Sequence, residues 1–406
     1  MMARMPSGLA VAALAGLLWI GAPARVLLSG ETPEPAAQEK APPQKDQGQD
    51  DAQGQPKQES PKQETPKPDA PDAAKTPAKP ALNPQQVALR NRVRRVLAYY
   101  ARLPVNTADN TPGEVLQFCL AGGCDTEIRA GGASGKPING FGALCYNYPC
   151  AGYEMLAGAD GAVMARIGYG LQTHPGEMLA VLALSGVPAD YEIVLDKKQL
   201  RVADLVEHEK RTCRPGTNLA FKLIGLSFYA ANDASWKDEL GEAWTIERLL
   251  DEEWKRTPSV NTCDVTDHLT ALSRAIQRRA RAGRPLDGSY QKADQYLAKF
   301  EDLAFQAQNR DGGWSPNFFA ARGAGRSEEG SLFASGHVLS WLAHRLPDDR
   351  LDDPRMVRAV TFATGILEQW SSRWDVTETS PREISAVMYA LHALRMYDRR
   401  LFKARE

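Results

Sequence analysis

A glycine-rich joint in the C-terminal third constrains the fold of this chain more than any other segment does. It runs from Gln308 to Trp314 as QNRDGGW and directly follows a stretch with helical periodicity. The two glycines allow a tight reversal at the end of a helix, the Asp311 side chain can bond within the turn, and Trp314 is large enough to fill the space between helices. The joint therefore predicts helices that stack as repeated hairpins.

Five apolar segments extend this pattern along the chain, and each follows a residue type that caps or initiates a helix. They begin near His174, Pro215, Asp264, Ser335 and Pro381, at separations of roughly 40 to 70 residues. Because each segment is apolar around most of its circumference, we predict that these are buried inner helices. Segments 296–307 and 356–367 carry a single apolar stripe, which predicts outer helices between them.

Gln308, Gly312 and Trp314 match the QW motif, and on this basis the chain resembles the terpenoid cyclase and protein prenyltransferase superfamily. That resemblance implies an all-α fold, the α/α toroid, in which inner and outer helices surround a central cavity. A Gly-rich, Cys-containing N-terminal extension precedes the repeats. We therefore expect residues 81–406 to form one toroid domain, with the extension at 81–160 and the helical hairpin repeats at 161–406.

The first 80 residues have the features of a targeting segment followed by a linker, and not those of a folded domain. Residues 1–28 combine a basic start with an apolar run, which is typical of a signal peptide or an N-terminal anchor. Residues 29–80 are rich in Pro, Gln, Lys and Glu and contain no aromatic residue, so we predict a disordered linker. The protein is then exported to the periplasm, the cell envelope or the medium. If the segment stays uncleaved, residues 8–22 would tether the domain to the membrane.

Six cysteines in an exported chain predict disulfides. Cys213 and Cys263 each stand directly before a predicted inner helix, at the same end of the toroid, and are the first expected pair. Cys145 and Cys150 are the second. Fifteen connectivities remain open for six cysteines, and sequence alone does not choose among them.

Polar residues at the starts of the inner helices are the candidates for a site, because a toroid gathers these ends around one mouth of its cavity. Convergent titratable groups beside an apolar cavity are typical of binding sites. Taken singly, each such residue could instead cap a helix or bond to the backbone. The ligand-binding candidates are His174, Asp264, Asp267, His268, His337 and Arg382.

The candidate residues can be compared with two kinds of catalytic site, the acid of cyclases and the zinc site of prenyltransferases. The segment from Asp264 to Asp267 resembles the Asp-x-Asp-Asp acid motif of squalene-type cyclases, but Thr266 stands where that motif has its central acid, and a hydroxyl cannot protonate an alkene. Prenyltransferases hold zinc with Asp, Cys and His, which Cys263, Asp264 and His337 imitate in a different order. A zinc site of His174, His268 and His337 is the remaining metal alternative.

Segments 142–153, 171–177 and 347–354 resemble uncharacterised exported bacterial proteins, some of which are labelled ADP-ribosylation factor-directed GTPase-activating proteins. Such activators need a zinc finger of CxxC pairs, and the sequence contains no CxxC. The net charge of −1 argues against a nucleic-acid partner. We therefore expect a binding module whose cavity takes an apolar or extended ligand or a protein segment. A metal-assisted zinc enzyme is the alternative.

Overall fold

A computed structural model describes residues 81–159, 162–259, 262–317, 323, 327–372, 374 and 379–405. The predicted signal peptide or anchor at 1–28 and the predicted linker at 29–80 lie outside these residues. Within the described part of the chain, none of the helices combines the length and apolarity needed to cross a lipid bilayer.

Helices dominate the described residues, which confirms the all-α prediction. The twelve α-helices described are α1 Pro84–Tyr100, α2 Pro112–Gly122, α3 Gly140–Cys145, α4 Glu177–Ser185, α5 Val202–Arg211, α6 Ala220–Tyr229, α7 Ile246–Lys255, α8 Thr262–Arg281, α9 Gly288–Ala307, α10 Glu328–Arg345, α11 Pro354–Ser371 and α12 Pro381–Tyr397. Four short antiparallel hairpins lie in the connections: β1 Glu127–Arg129 with β2 Pro137–Asn139, β3 Leu156–Ala159 with β4 Ala162–Ala165, β5 Glu192–Leu195 with β6 Lys198–Arg201, and β7 Ser235–Lys237 with β8 Ala243–Thr245.

The even-numbered helices contact one another in a closed cycle. Helix α2 packs on α4, α4 on α6, α6 on α8, α8 on α10, α10 on α12, and α12 returns to α2. The odd-numbered helices pack on these six, as α5 does on α4 and α6, α7 on α6 and α8, and α11 on α10 and α12. Helices of the cycle and helices that pack on it therefore alternate along the chain.

The predicted inner helices are the buried ones. Leu179, Leu223, Leu272 and Leu342 are all fully buried, as expected for helices that are apolar on most sides. Helices α4, α6, α8 and α12 begin within about five residues of the predicted starts. Helix α10 begins at Glu328, seven residues before the predicted Ser335 (335 − 328 = 7), because the Ser327 hydroxyl accepts a hydrogen bond from the Gly330 N–H and caps it there.

Helices α8, α10 and α12 run in the same direction. In the second turn of α8, Thr266 lies against His337 at the middle of α10, with 3.4 Å between Oγ1 and Nδ1. Near their ends, the Gln277 amide of α8 donates to the carbonyl oxygen of His344 on α10. The His337 ring also stacks on Tyr389 of α12, with 3.6 Å between ring centroids. We call the end where the inner helices begin the N-terminal mouth and the opposite end the C-terminal mouth.

The joint from Gln308 to Trp314 is the predicted turn between an outer and an inner helix. Gln308 Nε2 donates to the carbonyl oxygens of Gly312 and Arg355, each at 2.9 Å, so it ties the turn to the start of α11. Trp314 is fully buried, and its backbone N–H donates to the Ser335 hydroxyl of α10 at 2.8 Å. One short segment thereby joins α9, α10 and α11.

The region 81–160 takes part in the helical cycle. Helix α1 packs on α11 and α12 as an outer helix, and α2 is an inner helix between α12 and α4. A capping box begins α2, because Thr111 Oγ1 accepts from the Glu114 N–H while the Glu114 carboxylate accepts from the Thr111 N–H. Both helices therefore contact helices of the predicted repeats.

Both predicted disulfides are wrong, since no disulfide joins the six cysteines. The Cys213 thiol, two residues beyond α5, donates to the Glu209 carbonyl oxygen in the last turn of that helix at 3.4 Å, while Cys263 lies in the first turn of α8. Cys150 donates to the Tyr148 carbonyl oxygen at 3.5 Å. Burial raises the pKa of Cys213 to about 11 and those of Cys145 and Cys150 to about 12. Thiols of this kind hold their protons and are poor partners for disulfide exchange.

Candidate functional site

A small cavity lies on the axis of the helical cycle. Its volume is about 20 Å³, and all six inner helices line it. The lining side chains include Leu120, Val181, Phe221, Asp267, His337 and His392. A space of this volume accommodates about one water molecule. The ring axis therefore has no room for an extended ligand, and only a water-sized group can enter.

Asp267 supplies a carboxyl group to this cavity from the second turn of α8. The residue is buried, and no residue that the structure describes forms a hydrogen bond with its carboxyl oxygens. Burial raises its pKa well above the usual value of 3.8, and the negative charges of Glu177 and Asp264 add to the effect. Asp267 therefore keeps its proton to a higher pH than an exposed aspartate does.

His337 faces the same cavity from α10 with an unsatisfied nitrogen. The Thr266 hydroxyl is 2.8 Å from the Thr262 carbonyl oxygen, so its proton points there and its oxygen accepts from His337 Nδ1–H at 3.4 Å. This assigns the tautomer and leaves Nε2 as an acceptor, which has no partner among the described residues. Burial lowers the pKa of His337 to about 3, so the ring is neutral.

His174 and Glu177 lie at the rim of the N-terminal mouth, in the turn that begins α4. Glu177 Oε2 accepts from the Thr173 N–H at 2.7 Å and from the His174 N–H at 3.2 Å, which fixes the carboxylate in place. The His174 ring lies 5.3 Å from the ring of Phe221, another residue lining the cavity. The turn thereby holds the Glu177 carboxylate and the His174 ring near the residues that line the cavity.

Asp264 and His268 belong to a different environment, on the side of α8 that faces α7. His268 Nδ1 lies 2.8 Å from Glu253 Oε1, and the His268 ring meets Tyr296 of α9 edge-on. Asp264 forms an ion pair with Arg256 at 2.9 Å. These two predicted site residues stabilise the contact between inner and outer helices and do not reach the axial cavity.

Arg382 stands at the exposed rim, where it pairs with Glu329 at 3.1 Å and lies 5.8 Å from the Phe333 ring. The zinc set of His174, His268 and His337 is not brought together, because His268 points toward α7. Across the described ranges, no three His, Cys, Asp or Glu side chains are arranged to hold a metal ion. Of the segment that resembles the cyclase motif, Thr266 and Asp267 line the axial cavity while Asp264 does not.

Three further residues with polar rings line the axial cavity, and the sequence analysis did not single them out: Tyr389, His344 and His392. His392 Nδ1–H donates to the Leu120 carbonyl oxygen at 3.0 Å, so its Nε2 accepts from His344 Nε2–H at 3.1 Å. Burial lowers the pKa of His392 to about 4 and that of His344 well below its usual value. The seven-residue spacing of His337 and His344, two turns of α10, was the signal available in the sequence.

Of the six predicted ligand-binding residues, the structure places Asp267 and His337 on the cavity, with His174 and Arg382 at the surrounding rim. Asp264 and His268 are turned away. No protein-family model matches this chain, and no curated protein is significantly similar to it in sequence. The function must therefore be argued from the geometry of the mouth and the cavity.

Proposed function

We propose that the chain is a binding module built on an α/α toroid. The even-numbered helices would form the inner ring and the odd-numbered helices the outer ring. Support comes from the closed cycle of contacts from α2 to α12 and from the alternation of inner and outer helices along the chain. The joint at Gln308 to Trp314, which connects outer and inner helices, is the motif that the resemblance to the toroid superfamily rests on.

The ligand group that best fits the N-terminal mouth is a primary ammonium. The observation that carries this proposal is a buried polar atom without a partner, His337 Nε2, in the same cavity as the Asp267 carboxyl group. Leaving such a group unsatisfied costs about 1–3 kcal/mol, and a ligand that donates hydrogen bonds removes the penalty. An –NH3⁺ group has three N–H donors and a charge that a carboxylate stabilises.

Size and surroundings narrow the choice of cation. A cavity of about 20 Å³ admits a water-sized –NH3⁺ head but excludes a quaternary ammonium. The aromatic rings of Tyr389 and Phe221 line the same space, and aromatic rings attract cations that lie over their faces. The Glu177 carboxylate at the rim adds negative charge on the route of entry. An extended ligand would therefore lie outside the ring, with only its amino group inserted.

The experiment compares methylammonium with tetramethylammonium by calorimetric titration of the full chain at matched ionic strength. We expect saturable binding of methylammonium and binding at least about tenfold weaker for tetramethylammonium, because tenfold corresponds to about 1.4 kcal/mol, less than one charged hydrogen bond. Asp267→Asn should lose the methylammonium response, whereas Asp302→Asn on the exposed face of α9 should keep it. Equal binding of the two ions, or an unchanged response in Asp267→Asn, would contradict the proposal.

We also propose that the domain acts after export. The apolar run within residues 1–28 and the polar linker at 29–80 support this location, with residues 8–22 as a tether if the segment is not cleaved. Cell fractionation combined with N-terminal sequencing of the mature protein tests it. Recovery in the cytoplasm with Met1 intact would refute export.

A further inference from the structure

A second polar pocket lies at the C-terminal mouth, where α6 and α8 end. Its volume is about 360 Å³, within the range of small-molecule sites. Its polar lining consists of Ser227, Asn232, Arg274, Gln277, Arg278 and Arg281. None of its lining residues is acidic. This pocket is separate from the axial cavity and carries the opposite charge.

Arg274 is the unusual member of this lining. It is the thirteenth residue of α8 (274 − 262 + 1 = 13) and is partly buried. Among the described residues, none accepts a hydrogen bond from its guanidinium or forms an ion pair with it. Burial, and then the charge of Arg281, lower the pKa of Arg274 to about 10. Partial burial of a cation without a counter-ion costs free energy, and a bound anion lowers that cost.

Ser227 provides an independent observation. Its residue is only 2 % exposed, and its hydroxyl has no hydrogen-bond partner among the residues described. A buried serine within a helix commonly bonds to a carbonyl one turn back, as Ser273 does to the Leu269 carbonyl oxygen at 2.7 Å. Ser227 makes no such bond. Its hydroxyl is therefore a free donor in the lining of a pocket that also contains Arg274.

Arginines at helix ends stabilise helices, but this role explains only two of the three arginines that line the pocket. Arg278 donates to the Asn232 side chain and to the Phe228 carbonyl oxygen, each at 2.8 Å, and so satisfies the last turn of α6. Arg281 ends α8, where a cation interacts favourably with the helix dipole. Neither role applies to Arg274 in the interior of α8 or to the unpartnered hydroxyl of Ser227.

We propose that this pocket binds a phosphate-type oxyanion, with Arg274 and Arg281 contributing guanidinium groups and Ser227 donating its hydroxyl. Planar guanidinium groups match tetrahedral oxyanions with paired N–H donors, which makes arginine well suited to phosphate. The helix dipoles at this mouth oppose an anion, but their effect fades within one turn and is small beside two guanidinium charges. The pocket volume exceeds that of phosphate alone, so free phosphate and a phosphate ester share the same recognition chemistry.

The test is calorimetric titration of the full chain with inorganic phosphate and, separately, with glycerol 3-phosphate, against chloride at matched ionic strength. We expect binding of at least one of the two phosphate compounds. Tighter binding of glycerol 3-phosphate than of inorganic phosphate would identify a phosphate ester as the preferred ligand. Arg274→Gln should weaken it at least about tenfold, since a charged hydrogen bond is lost, and Ser227→Ala should weaken it several-fold. Arg284→Gln removes a nearby exposed charge outside the pocket and should leave binding unchanged.

Two outcomes would overturn this proposal. The first is a wild-type chain that binds neither phosphate compound more tightly than chloride. The second is phosphate binding that Arg274→Gln and Arg284→Gln reduce equally, since that would show attraction to the general positive charge of this end. Thermal unfolding of each variant without phosphate verifies that it is folded, so a loss of binding reports on the pocket.

Discussion

Replacing Gly312 with alanine tests whether the joint between α9 and α10 holds the outer helices by close backbone approach. Gly312 has φ of +100°, and a Cβ there would lie 2.4 Å from the Arg358 carbonyl oxygen of α11. Side chains other than glycine cost about 1–2 kcal/mol in the left-handed region. Overpacking against a fixed neighbour costs about a further 1–3 kcal/mol. We therefore expect Gly312→Ala to lose about 2–5 kcal/mol of unfolding free energy.

A matched variant separates the two contributions. Gly241 in the turn between β7 and β8 has φ of +84°, but no atom lies within 4 Å of a Cβ built there. Gly241→Ala should show only the backbone strain, about 1–2 kcal/mol. Equilibrium urea unfolding followed by tryptophan fluorescence measures both variants, and Trp314 next to the joint makes the signal sensitive to it. If the two variants lose equal stability, the close approach of the joint to α11 contributes nothing and the reasoning is refuted.

Three further predictions follow from the core, the cavity and the thiols. Asp267→Asn should raise the melting temperature, and the gain over the wild type should grow as pH rises above about 4. The reason is that the unfolded wild-type chain then releases a proton that the folded Asp267 retains. The same difference in melting temperature between variant and wild type at pH 5 and at pH 7.5 would contradict this. Leu272→Ala in the buried face of α8 should cost about 2–5 kcal/mol in urea unfolding, whereas Leu303→Ala on exposed α9 should change stability by less than about 1 kcal/mol. Thiol titration without reductant should find that Cys124 reacts first in the folded protein and that six thiols react after unfolding. Fewer than six reactive thiols after unfolding would indicate a disulfide.

Much of the fold was predictable because burial leaves a strong trace in the sequence. Helices that are apolar on nearly every side, such as α10, must lie inside, and the single stripe of α11 must face inward from outside. Helix α2 was missed as an inner helix because its eleven residues follow no long apolar run and precede a Gly-rich stretch. Its capping box from Thr111 to Glu114 was the available signal.

The candidate site was less predictable because a fully buried helix does not indicate which neighbour each side chain meets. Asp267 and His268 are consecutive, and one residue turns a helix by about 100°. That rotation places Asp267 on the ring axis and His268 against Glu253 of α7. The thiol of Cys213 shows the same limit, since its position before α6 did not reveal that it bonds back to Glu209.

The most direct test of the proposed function is the number of protons released when methylammonium binds. Calorimetric titrations of the full chain near neutral pH, in two buffers with different ionisation enthalpies, give this number. Because burial favours the protonated Asp267 carboxyl in the empty cavity and pairing with –NH3⁺ favours the carboxylate, the account predicts a net release of protons when methylammonium binds to the wild-type chain. Binding without proton release, or proton release that persists in Asp267→Asn, would contradict it.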